Sequence, residues 1–151
     1  MANDRIKGLI KQLRKVDSSF ISLQIRRIVK ENQKYIINLN VNDQLFDRGI
    51  YNDGTKLPLP YAPKTIIDKT KKGQPTDKIT LRDTGSFHSK FYIIYEKNQF
   101  SLWSRDGKTE TLVKDWGEEI FGLTDENIET VIINFILPGL QKEIKKLIDA
   151  A

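Results

Sequence analysis

The stretch Phe87-His88-Ser89-Lys90-Phe91-Tyr92-Ile93-Ile94-Tyr95-Glu96, with Lys97-Asn98-Gln99 and Phe100-Ser101-Leu102-Trp103-Ser104 after it, decides the fold class. Phe87, Ser89, Phe91, Ile93 and Tyr95 alternate with His88, Lys90, Tyr92, Ile94 and Glu96. A period of two sends successive side chains to opposite faces of a strand. Glu96-Lys97-Asn98-Gln99 reads as a turn, so 100–104 returns as the antiparallel partner, and Arg105-Asp106-Gly107 ends the ribbon.

Moving outward, the period becomes helical. Ile6, Leu9, Ile10, Leu13 and Val16 fall on one face of a helix over 4–16, between Arg5, Lys7, Lys11, Arg14 and Lys15. Asn3 or Asp4 caps it, and Asp17-Ser18-Ser19 breaks it and caps a second helix that ends near 30–33. The aliphatic stripe of the first helix is expected to pack on the protein's own sheet. Thr124 is an N-cap, with Asp125 and Glu126 in the first turn where the helix dipole favours acids. An apolar stripe then runs from Ile128 to Ile148, and Pro138 predicts a kink.

Between these elements, the β-branched run Tyr35-Ile-Ile-Asn-Leu-Asn-Val41 is expected to be extended, and 43–46 to form a helical turn. Asn52-Asp53-Gly54 is a turn signal. Pro58, Pro60 and Pro63 stiffen Leu57–Pro63, and the Lys-rich residues 65–78 read as a mobile loop. Together 49–78 is expected to be an extended proline- and lysine-rich arm. Residues 109–116 form a short helix, with Gly117 and Gly122 bracketing the turn after it. The expected architecture is α+β in one domain, 1–151. It comprises an N-terminal helix pair, a central antiparallel hairpin with the long arm, and a C-terminal helix kinked at Pro138 and packed on the sheet.

Composition narrows the chemistry. The 151 residues include no cysteine and a single histidine, His88, which leaves no thiolate zinc site, Cys nucleophile or multi-His metal centre. No apolar run approaches the roughly 20 residues of a membrane-spanning helix, and the charged N-terminus is not expected to act as a secretory leader. The net charge of +5 hides a gradient: +6 over residues 1–34, +6 over 56–108 and −5 over 109–151. Such asymmetry suits either a nucleic-acid face or a subunit that meets copies of itself through unlike ends.

Asp83-Thr84-Gly85 is the tripeptide of aspartic proteases, in which two such carboxylates share a proton. Arg82 stands before it where those enzymes bury an apolar residue, and a neighbouring cation favours the ionised carboxylate. Asp115, Glu118 and Glu119 read as a solvated acidic face rather than a cation site. The expectation is no catalytic residue, no cofactor and no metal. Lys64, Lys69, Lys71, Lys72 and Lys78 are candidates for salt-sensitive, sequence-blind contact with DNA phosphates.

Several short motifs occur in a definite order: Gln44-Leu45-Phe46, Asp53-Gly54, Tyr61-Ala62-Pro63 with Thr65, Gly73-Gln74-Pro75, Leu81-Arg82-Asp83-Thr84-Gly85-Ser86-Phe87, and Phe121-Gly122-Leu123-Thr124 before the last helix. Over about residues 44–148 the chain resembles the tailed-bacteriophage virion-morphogenesis and tail-completion proteins, components of the head–tail connector. The first 35 residues carry no part of the resemblance. The resemblance implies a non-enzymatic virion protein at the head–tail junction, assembled in the bacterial host cytoplasm as a homo-oligomeric neck ring. Its partners would be copies of itself, a portal or adaptor protein on the head side and a tail protein on the other, with packaged DNA passing through. It implies structural or subunit-contact roles for Tyr61, Pro63, Thr65, Leu81, Asp83, Thr84, Gly85, Phe87, Phe121, Gly122 and Leu123. On this reading Thr84-Gly85 bends the chain from arm to hairpin, with Asp83 bonding nearby backbone. The alternatives are an Asp-Thr-Gly protease-like homodimer and a basic accessory protein that binds DNA without sequence preference.

Overall fold

A computed structural model describes residues 2–151, with side chains from Asp4 onward, so Asn3 as a cap lies outside the described side chains. The protein is α+β. Where length argues for one domain, the contacts divide the chain into two compact units, residues up to Gln33 with Glu129–Ala151, and Lys34–Ile128.

In the first unit, α1 (Ala2–Leu13) and α2 (Ser18–Glu31) are separated by Asp17, whose carboxylate accepts from Phe20 N–H at 2.8 Å and caps α2. Both helices pack on α8 (Leu137–Asp149). The apolar stripes lead one to expect both the terminal helix and α1 on the sheet. Instead α8 takes α1 and α2 as partners, and Ile6, Ile10 and Leu13 remain 55, 46 and 41% exposed. Gly139 permits the close approach of α8 to α2, because a Cβ there would lie 2.5 Å from Ile28 Cδ1.

The segment before α8 explains how a proline is carried inside a helical run. α7 (Asp125–Val131) starts at Thr124, which accepts from Asn127 N–H through Oγ1 at 3.2 Å and from Ile128 N–H through its carbonyl at 2.8 Å. Residues Ile132–Ile136 then widen into a π-helical turn, and Pro138 sits in the first turn of α8. A proline ring presses on the carbonyl four residues back, and the widened i→i+5 turn relieves that clash. The kink expected at Pro138 takes this form. Ile132, expected in the core, is 38% exposed.

The second unit departs most from expectation at 35–48. It holds α3 (Gln33–Asn38) and a π-helical stretch, Leu39–Arg48, rather than a strand. The alternation Ile37-Asn38-Leu39-Asn40-Val41 looks extended only if asparagine faces solvent. Here Asn40 and Gln44 are fully buried beside Val41 and Leu45, because their amides have partners inside. The stretch ends at Gly49 in the left-handed region (φ +61°), where a Cβ would come within 2.7 Å of the Ile79 carbonyl.

Asn52-Asp53-Gly54 turns as expected: Asp53 Oδ1 accepts from Thr55 N–H, and Ile50 bridges Lys56. Residues 57–62 hold neither helix nor strand and include a cis Leu59–Pro60 peptide. Pro63 then opens α4 (Pro63–Lys71), so the first part of the Lys-rich segment is a helix, while 72–78 holds turns and bends. Proline is pre-organised for the first helical position, a start signal that the lysines obscured.

Gly85 (φ +89°) introduces a single turn, α5 (Ser86–Ser89), which replaces the first part of the expected strand. Phe87 and His88 are both buried there, and a strand cannot send two adjacent side chains inward. β1 (Phe91–Tyr95) pairs antiparallel with β2 (Phe100–Ser104), and Ile93 lies opposite Leu102. α6 (Thr109–Trp116) occupies the expected helix, and a 3₁₀ turn at Glu118–Ile120 leads to Thr124. Phe121 centres an aromatic cluster, stacked on Trp103 at 4.5 Å and 5.2 Å from Phe91.

Candidate functional site

Between α4, the 79–87 segment and α6 lies a cleft of about 380 Å³. It gathers Tyr61, Thr65, Lys69, Lys72, Leu81, Asp83, Thr84, Gly85 and Phe87, all of them nominated from sequence. Ile79, Leu112 and Trp116 add apolar wall, and Arg82 and Lys108 add positive charge. Leu112 and Trp116 stand one turn apart on α6, a spacing that could have marked them in advance. Pro63, Lys64, Lys71, Lys78, Phe121, Gly122 and Leu123 lie outside the cleft.

Side chains brace the backbone of 80–83. Thr80 N–H donates to the Tyr61 hydroxyl at 2.9 Å, and Lys69 Nζ donates to the Arg82 carbonyl at 2.7 Å. Gln74 Nε2 donates to the Asp83 carbonyl at 2.7 Å. Between these anchors Leu81 is held at φ +54°, a left-handed conformation costing about 1–2 kcal/mol for a residue with a side chain. Lys69 is buried with its ammonium 5.1 Å from the Tyr61 ring, and burial lowers its pKa despite the opposing pull of Asp83.

Asp83 does not make the backbone bond expected of it. Its carboxylate pairs with Lys72 and, at 3.5 Å, with Lys108. The hydrogen bond from Lys72 is the main cause holding the Asp83 pKa below the usual carboxylate range. Thr84 supplies the local turn, its Oγ1 accepting from Ser86 N–H at 3.3 Å. Behind the bend, Asp106 accepts from Ser86 Oγ at 2.6 Å and from Lys108 N–H at 2.9 Å, tying α5 to the start of α6.

Of the five lysines considered for DNA, Lys69 is withdrawn into the cleft, Lys72 is ion-paired and Lys78 donates to the Asp47 carbonyl. Lys64 and Lys71 are exposed on α4.

A second constellation escaped sequence reading. Asn40 Nδ2 donates to the Ile120 carbonyl at 3.0 Å, and its Oδ1 accepts from Gly122 N–H at 2.9 Å. One helical turn on, Gln44 Nε2 donates to the Gly122 carbonyl at 2.8 Å, and its Oε1 accepts from Thr124 N–H at 3.0 Å. Asn52 Nδ2 donates to the Phe121 carbonyl at 2.9 Å. Three side-chain amides thus do for residues 120–124 what a neighbouring strand would do. The Asn-x-x-x-Gln spacing was the available signal.

His88, buried against Phe87 and Phe91, makes stability depend on pH. Burial is the largest cause pushing its pKa from 6.5 down to about 4. The charges of Arg82 and Lys69 act in the same direction, and a hydrogen bond with the Thr80 backbone opposes them. Below pH 6.5 the unfolded chain takes up a proton that the folded chain refuses until about pH 4. The contribution is complete above that window and is lost as pH falls through it, by roughly 3 kcal/mol. Urea denaturation at pH 7, 6 and 5 should show the decline, and His88→Gln should flatten it. Equal wild-type stability at pH 7 and 5 would refute this account.

Among the described residues, no group of three or more His, Asp or Glu side chains is placed to hold a metal ion, and no helix is long and apolar enough to cross a membrane. Comparison with family models, curated proteins and solved structures finds no match to this chain.

Proposed function

We propose that this chain is a non-catalytic structural subunit of a tailed-bacteriophage virion. It would be a head–tail connector or tail-completion protein that closes into a ring of identical copies, joining the portal side to the tail. The observation that carries this reading is the convergence of dispersed motifs. Tyr61, Thr65, Leu81, Thr84, Gly85 and Phe87, spread over 27 positions of chain, line one cleft whose backbone is pinned by side chains from α4 and its flanks. Such bracing suits a part whose work is to keep its shape. Asp83 points the same way, because a carboxylate ion-paired to two lysines and held below its usual pKa is poorly suited to the shared proton of an aspartic protease.

Particles produced from the genome that encodes the chain provide the test. Mass spectrometry should find the protein at fixed stoichiometry, electron microscopy should place it at the head–tail junction, and deletion of its gene should leave heads and tails unjoined. Absence of the protein from purified particles would overturn the proposal.

A further inference from the structure

Two exposed helix faces each carry an apolar stripe, and the charges flanking the stripes are opposite in sign. On α1, Ile6, Ile10 and Leu13 form an apolar stripe that the protein's own packing leaves 55, 46 and 41% exposed. Lys7, Lys11 and Arg14, each one residue further on, form a basic stripe beside it, and all three are exposed. On α7 and the turn following it, Ile128 and Ile132 are 43 and 38% exposed, and exposed Asp125 and Glu129 form an acidic stripe beside them. In both helices the charged stripe lies on the same rotational side of the apolar one, since Glu129 follows Ile128 as Lys7 follows Ile6.

We infer that α1 of one copy docks antiparallel on the Asp125–Ile132 face of a second copy, isoleucine against isoleucine and lysine against acid. The orientation follows from handedness. Two right-handed helices whose charged flanks lie on the same side of the apolar seam bring those flanks together only when they run in opposite directions. With parallel axes the basic and acidic stripes would fall on opposite sides of the seam. The occupant is a second copy because the chain itself carries both halves of the match: its first 34 residues have net charge +6 and residues 109–151 have −5. The two faces differ, so the contact is head to tail and repeats from copy to copy until a ring closes. The inference rests on the reading of the chain as a ring-building subunit and names the surfaces that build the ring.

The absence of cysteine permits a direct test. Under oxidation, the variant carrying Ile6→Cys and Ile132→Cys should form covalent oligomers, whereas Ile6→Cys with Asp125→Cys should not. The reverse pattern would overturn the antiparallel arrangement. In sedimentation across a concentration series, Lys11→Glu and Glu129→Lys should each weaken self-association about tenfold or more, and the two together should restore it. Wild-type self-association untouched by these exchanges would overturn the named surfaces while leaving a ring by other contacts. A wild type that stays monomeric at the highest concentrations and yields no crosslink would overturn the docking, and presence at the head–tail junction would still be judged from particles. Vesicles of anionic phospholipid form the remaining arm. Binding abolished by Ile10→Asp, with self-association unchanged, would show that the α1 stripe meets a membrane surface and refute the inference.

Discussion

Gln44→Leu is expected to lower the free energy of unfolding by about 4 kcal/mol, although leucine nearly conserves the volume. The cost is in hydrogen bonding. Gln44 is fully buried, and its removal leaves the Gly122 carbonyl and the Thr124 N–H without their partner. The Asn127 amide also loses its 2.9 Å bond to Oε1 and keeps Asp43. Each buried group deprived of a partner costs about 1–3 kcal/mol. Urea denaturation of the purified variant measures the sum, and a loss below about 1 kcal/mol would show that the amides do not hold the 120–124 segment. Asn40→Leu, which frees the Ile120 carbonyl and the Gly122 N–H, should reproduce much of the effect.

Phe121→Ala should cost about 3–5 kcal/mol for a different reason. The ring is 6% exposed and touches Phe87, Phe91 and Trp103 with centroids 5.9, 5.2 and 4.5 Å away. Its deletion opens a cavity among side chains from α5, β1 and β2, and surrounding structure relaxes only partly into such a space. Trp103, stacked on Phe121 at 28°, is the reporter, and its fluorescence should shift in the folded variant. A melting curve unchanged within about 1 kcal/mol would mean that the cluster is not the centre of this unit.

The two predictions mark where sequence reading succeeded and where it failed. The hairpin, the Asp17 and Thr124 caps and the 109–116 helix were legible because each rests on interactions between residues close in sequence. The helical 35–48 segment was not. Its buried Asn40 and Gln44 make sense only once residues 120–124, about 80 positions away, supply the carbonyls and amides they bind. Phe87 and His88 misled for a related reason. Their alternation is strand-like, but the left-handed Gly85 turns the chain so that both go inward. At the cleft the reading nominated nine of the lining residues; Arg82 and Ser86 stood within the 81–87 motif without being nominated, and Asp68, Ile79, Lys108, Leu112 and Trp116 join the site only through tertiary approach. The partners of Asp83 were hidden likewise, since Lys72 and Lys108 reach it from 11 and 25 residues away.

The widened turn at Ile132–Ile136 has a hereditary consequence. It holds one residue more than an α-helical turn, and that surplus keeps the ring of Pro138 clear of the preceding backbone. Losing one codon between 132 and 136 would tighten the turn and drive the ring into a carbonyl, whereas losing it together with the proline would restore an unbroken helix. The extra residue and Pro138 therefore form an epistatic pair, and descendants of this chain should keep both or shed both.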